Sequence, residues 1–149
     1  MRRPYLRLVL MTVTSTVMML GLTYVNSWSI EHVYWSETRF FMAILMGAAM
    51  ATVMLLYMRP MYRSAKLNGA ILGVCALAFS GALWLVRSQA TVGEVSWMRA
   101  MIPHHSIAIL TSERADLRDP RVRELARQII EAQRREIEEM KRLVAELSE

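Results

Sequence analysis

Apolar residues fall into three long runs early in the chain, at residues 8–25, 40–58 and 69–86, and none of the runs contains Asp, Glu, Lys or Arg. At 1.5 Å per residue each run is long enough for a helix to cross the roughly 30 Å of a bilayer's hydrocarbon core. The pattern therefore predicts three transmembrane helices. Past residue 87 it changes. "TVGE" at 91–94 has the form of a capping box, with Thr91 as N-cap, and predicts a helix running to about residue 117. "RDPR" follows, with Asp119 as a second N-cap and Pro120 at the first helical position, where a missing N–H costs nothing. The last helix runs almost to the C-terminus. Its apolar positions, Val122, Leu125, Ala126, Ile129, Ile130, Ile137, Met140, Leu143, Val144 and Leu147, recur at threes and fours as one buried face requires. Gln133 lies within that stripe and Glu136 at its edge, and polar groups on a packed face need partners.

The predicted fold class is all-α, a three-span region over 1–87 followed by an antiparallel helical hairpin over 88–149. Charge supplies an orientation. Residues 1–87 hold eight Lys/Arg against two Asp/Glu, and residues 88–149 hold ten against eleven, so the net charge of +5 belongs to the membrane half. Basic residues placed around apolar spans report topology; they do not form the basic stripe that nucleic-acid binding needs, and that partner class is set aside. Arg2, Arg3 and Arg7 precede the first span, and Arg59, Arg63 and Lys66 fill the second loop. The connection "NSWSIEHVYWSET" has no Lys or Arg. The expected orientation has the N-terminus and second loop cytoplasmic and the hairpin on the outer side. Trp28, Tyr34, Trp35, Tyr57, Tyr62 and Trp84, near the span ends, suit interfacial belts. "MRRPYLR" imitates the basic start of a secretory signal, but the run after it is too long and "YVNSWS" offers no small-x-small cleavage pattern, so an anchor is expected. Cys75 is the one cysteine and sits mid-span, where a small buried hydrophobe is the expected role.

The chain has three histidines, and two of them, His104 and His105, are adjacent in "MRAMIPHHSIAI". Met101, His104 and His105 are related by i, i+3 and i+4, so one histidine at least shares a face with the methionine. Pro103 removes a helical N–H and pushes its turn open, and a kink there would let both imidazoles converge. In a hairpin turning near residues 118 and 119, positions of equal height have numbers summing to about 237. His104 then stands level with Gln133, Met101 with Glu136, and Trp97 or Met98 with Met140. Imidazole and thioether donors together suit copper, and a carboxylate broadens the choice to zinc or iron. The candidate metal set is Met98, Met101, His104, His105, Glu136 and Met140. The alternative is one core histidine bonded to Gln133 or Glu136, one histidine facing solvent, and methionines as ordinary packing.

"WMRAMIPHHSIAI" followed by "DPRVRELARQIIEAQRREIEEMK" resembles the domain of unknown function 305 family, a group of mostly bacterial envelope proteins. The resemblance spans residues 97–142 and rests on Ile-Pro-His-His, the Asp-Pro start of the next helix, and Gln-x-x-Glu-Ile-x-x-Met near its end. It implies a ferritin-like helical bundle, periplasmic copper binding by histidines and methionines, and a bacterial inner-membrane location for this anchored chain. Residue by residue it implicates His104, His105, Met101 and Met140, with Gln133 and Glu136 as alternative ligands or as partners holding a ligand in place. Many members carry Glu and Met soon after the histidines, where this chain has Leu110 and Thr111, so several metal sites are not expected. Longer members also supply more bundle helices, and a lone hairpin cannot bury both faces of its histidine-bearing helix. A homo-oligomer is therefore expected, with the bilayer and a metal-handling envelope protein as further partners.

Two features lie outside that set. Methionines at 42, 46, 50, 54 and 58 wind around the second span beside Ala43, Gly47 and Ala51. With no charge or histidine nearby they read as a packing ridge rather than a Cu(I) ladder. His32 lies in the outer loop; an upright stem would hold His104 roughly 27 Å above the membrane, beyond its reach, whereas a hairpin folded onto the membrane could bring the two together. The chain thus reads as a non-enzymatic membrane-anchored protein that stores, buffers or hands over metal. The alternatives are an envelope module that oligomerises without metal and, more remotely, a metal oxidase.

Overall fold

The computed structural model of the chain describes residues 2–25 and 27–148. The described residues form five α-helices and two single 3-10 turns, with no strand among them. The helices are α1 (Arg2–Leu22), α2 (Glu37–Tyr57), α3 (Ala65–Ser88), α4 (Glu94–Arg114) and α5 (Pro120–Leu147). They divide into two compact units that are discontinuous in sequence: α1 with Thr38–Thr91, and Thr23–Glu37 with Val92–Glu149.

The first unit holds the three apolar helices, each long and apolar enough to cross a membrane. Its contact face is the small-residue side of α2, where Ala43, Gly47, Ala48 and Ala51 are buried. A Cβ on Gly47 would run into Thr16 of α1, so only glycine lets the two backbones approach this closely. Cys75 packs buried against Ala48 and Ala51, the hydrophobe's role expected of it. Met54 and Met58 pack against a cluster of Leu8, Leu55 and Tyr62, while Met42 is exposed, in keeping with a packing ridge. Tyr62 is buried beside the Tyr5 ring, 5.2 Å between centroids. The Tyr5 hydroxyl accepts the Ser64 amide at 3.0 Å and lies 2.9 Å from Asn68 Oδ1, joining the start of α1 to the turn before α3. Much of the apolar surface of α1 and α3, including Val13, Val17, Val74 and Leu77, is exposed, as a lipid-facing surface requires.

The second unit is built on the α4–α5 hairpin. Met98, Ile102, Ile109, Ile137, Met140 and Val144 form its buried core, and Tyr34 from the loop before α2 packs on them. Asp119 caps α5 as expected, its carboxylate accepting the Arg121 amide at 2.8 Å, with Pro120 at the first position. The capping box expected at Thr91 does not form. The N-cap is Gly93, without a side-chain bond, and Glu94 opens the helix instead of standing three positions in. The chain leaves α3 through Gln89 in the left-handed conformation (φ 53°), and a turn at Ala90–Thr91 keeps the Thr91 hydroxyl ahead of the first helical amides.

Candidate metal centre

α4 continues unbroken through Pro103, which is itself buried. The two histidines that follow it part company. His104 is exposed, and its ring lies 6.1 Å from that of His105, inclined at 64°. His105 turns inward, with 13% of its side chain exposed. Its Nδ1 lies 3.0 Å from the Met101 carbonyl oxygen, and its Nε2 lies 2.8 Å from Glu136 Oε2 on α5. Gln133 Nε2 donates to the same carboxylate oxygen at 3.4 Å. Both nitrogens of His105 thus face acceptors. With Nδ1–H given to the carbonyl, a cation replacing the proton between Nε2 and the carboxylate, which is 53% exposed, would be met by both groups. A cation held jointly by imidazole and carboxylate suits that position, with ring orientation and tautomer fixed by the carbonyl behind.

The partner of Glu136 is therefore His105 and not the level of Met101. The expected alignment assumed a tight turn, whereas α4 stops at Arg114 and the backbone is extended at Ala115 and again at Asp119. The connection carries the chain onward before α5 begins, so each α4 residue meets a later α5 residue than expected. The first turns of α5 stay exposed through Gln128 apart from half-buried Ala126.

The remaining candidates have separate places. Met98 and Met140 are buried together in the hairpin core, and Met101 packs at its margin. They belong to the packing between α4 and α5. His105, Glu136 and Gln133 form one connected polar group; His104 is outside it. Among the described residues no three His, Cys, Asp or Glu side chains converge on one point. The donor set of one chain fits a borderline cation, but offers only two charged or nitrogen ligands.

The other flank of the hairpin is covered by residues that the sequence reading had assigned elsewhere. His32 does not stay apart from the histidine-bearing helix. It is 6% exposed, with Nδ1 at 3.1 Å from Ser106 Oγ, and Ser106 is fully buried on α4. The same hydroxyl accepts the Trp28 amide at 2.7 Å and so has its own proton to give to the imidazole. The expected separation counted height along an upright stem and left out the loop's own fold: Ser27–Glu37 packs onto α4 and α5 within one compact unit. Burial foremost, and Lys141 next, hold the His32 pKa below 6.5, with Glu138 and Glu31 opposing. Trp28 Nε1–H donates to Glu113 at 2.8 Å, Arg134 donates to the other oxygen of that carboxylate at 2.6 Å, and the guanidinium lies 5.5 Å from the Trp28 ring centroid. Trp28 and Tyr34 had read as interfacial aromatics. The one signal for this flank was Ser106 itself, a polar residue spaced by four and three from Ile102 and Ile109 on the buried face of α4.

Residues 85–148, which take in the hairpin and the His105–Glu136 pair, match the family model described as "Domain of unknown function (DUF305)". This segment is a DUF305 domain. The DUF305 segment accounts for less than half of the chain, and the three apolar helices lie almost wholly outside it. The chain is also 39% identical over 66 residues to "Uncharacterized protein L153" of Acanthamoeba polyphaga mimivirus, an alignment covering 43% of each protein. It thus spans less than half the length of that relative. No solved structure matches the chain.

Proposed function

We propose that the chain is a membrane-anchored metal-binding protein whose DUF305 hairpin holds copper for storage, buffering or handover. The observation that carries this reading is His105, its Nδ1 against a backbone carbonyl and its Nε2 aimed at the Glu136 carboxylate 2.8 Å away. His105 and Glu136 would ligate the ion, which supplies no chemistry beyond being held, and Gln133 would keep the carboxylate in place. Nitrogen and oxygen donors favour Cu(II), with zinc or iron as competitors; Met101 is the nearest thioether in sequence for Cu(I).

The location proposed is a bacterial inner membrane, with the N-terminus cytoplasmic and the hairpin periplasmic. Lys and Arg around α1 and between α2 and α3 support that orientation. Thr23–Glu37 folds with Val92–Glu149, which supports two crossings between them, α2 and α3, with loop and hairpin on the same side of the bilayer.

The test is a titration of the full chain in detergent with Cu(II), and with Cu(I) under reduction, against a chromophoric competitor. His105→Ala should weaken binding by at least about tenfold, the scale of losing a ligand or its immediate support, and Glu136→Gln by a comparable factor. His104→Ala should change it far less. A chain without sub-micromolar affinity, or one indifferent to His105→Ala, would refute the reading.

A further inference from the structure

We infer that a second copy of this chain packs antiparallel along α5, on the flank that the loop leaves open, and contributes its own His105 and Glu136 to a shared metal ion. The inference rests on the metal reading above and adds to it the surface, the orientation and the number of chains per ion.

At 100° per residue the core positions of α5 lie on one side, and a second stripe lies roughly 80° away around the helix. That stripe contains Val122, Leu125, Ile129, Ala132, Glu136, Leu143 and Leu147. Its ends are open: Leu125 is 56% exposed and Leu147 54%, and Val122 and Ile129 are exposed as well. The loop Ser27–Glu37 makes its hydrogen bonds on the other flank, to Ser106 and Glu113, where Arg134 joins them. The stripe is self-complementary about its centre. Reversed upon itself at Glu136, it sets Leu125 against Leu147 and Ile129 against Leu143, apolar to apolar, and places each Glu136 beside its copy.

Charge selects the reversed orientation. Residues 120–130 carry three basic side chains and one acidic, whereas residues 136–146 carry four acidic and two basic. An antiparallel pair apposes the positive half of one α5 to the negative half of the other; a parallel pair would set like against like. Two carboxylates meeting at the centre would repel unless a cation lay between them, and each arrives with an imidazole already aimed at it. One chain brings two donors; two chains bring the four that a tetrahedral or tetragonal site requires.

The test uses the full chain in detergent, with Zn(II) and Cu(II) as probes, and reads mass by light scattering together with metal content. The expected result is a dimer holding one ion per two chains, and a monomer with at least tenfold weaker binding for Leu125→Glu/Ile129→Glu. Both positions are exposed, so helix content measured by circular dichroism should be unchanged. One ion per monomer would overturn the shared site while leaving the metal reading intact; no metal bound by the wild type would overturn both. A dimer unaffected by the double substitution would overturn the surface. In a Cys75→Ser background, chains carrying Ile129→Cys and chains carrying Leu143→Cys should form a mixed disulfide on co-reconstitution. Pairing of each only with itself would overturn the antiparallel register.

Discussion

His104 and His105 are neighbours with different environments, and adjacency in sequence could not distinguish them. The pair was legible as a candidate site, and so was Glu136 as a polar residue wanting a partner; which histidine meets it was not, because that depends on the height at which α5 starts. His32 was legible only as a loop residue, since nothing local announces that a serine on a distant helix will bury it. Its depressed pKa has a measurable consequence. Above pH 6.5 the ring is neutral both folded and unfolded and carries no penalty; below 6.5 the unfolded chain takes up a proton that the buried ring resists, so the loop's attachment weakens as pH falls and the loss levels off beneath the folded pKa. Hydrogen exchange of the amides in Ser27–Glu37 should therefore accelerate between pH 7.5 and 5 more in the wild type than in His32→Asn, after correction for intrinsic rates. Equal profiles for the two proteins would show that His32 does not hold the loop.

The five helices themselves were readable from apolar runs, periodicity and proline position, because each rests on local rules. Their ends were readable only where a side chain reaches the backbone within its own turn. Asp119 does so and Thr91 does not, although both sit in plausible capping sequences. Asp119→Ala should accordingly lower the thermal midpoint of the hairpin by a few degrees, whereas Thr91→Ala should leave it unchanged, as followed by circular dichroism of the full chain in detergent. A comparable drop in both would mean that the first turn of α4 is capped from Thr91 after all. The alignment of α4 with α5 was the weakest part of the sequence reading for a related reason: an extended linker and a tight turn can be written with the same residues.

At the scale of the whole molecule, the division into an apolar half and a charged half was evident, but the true partition is discontinuous, with Thr23–Glu37 belonging to the hairpin. A fragment cut at residue 88 would retain all but the first three residues of the DUF305 segment and lose Trp28, His32 and Tyr34. It should unfold at lower temperature and denaturant concentration than the hairpin in the intact chain, and a peptide spanning 23–37, added in trans, should restore part of the difference; identical unfolding with and without that peptide would mean the loop is a passive cover. The partition also bears on the order in which the protein is made. The loop is synthesised before Val92, and in the proposed topology it cannot reach its final partners until α2 and α3 have both crossed the bilayer. On that proposal, completion of the hairpin unit reports correct insertion, and a chain that misplaced either helix would leave Trp28 and Tyr34 on the opposite side of the bilayer from the α4 face.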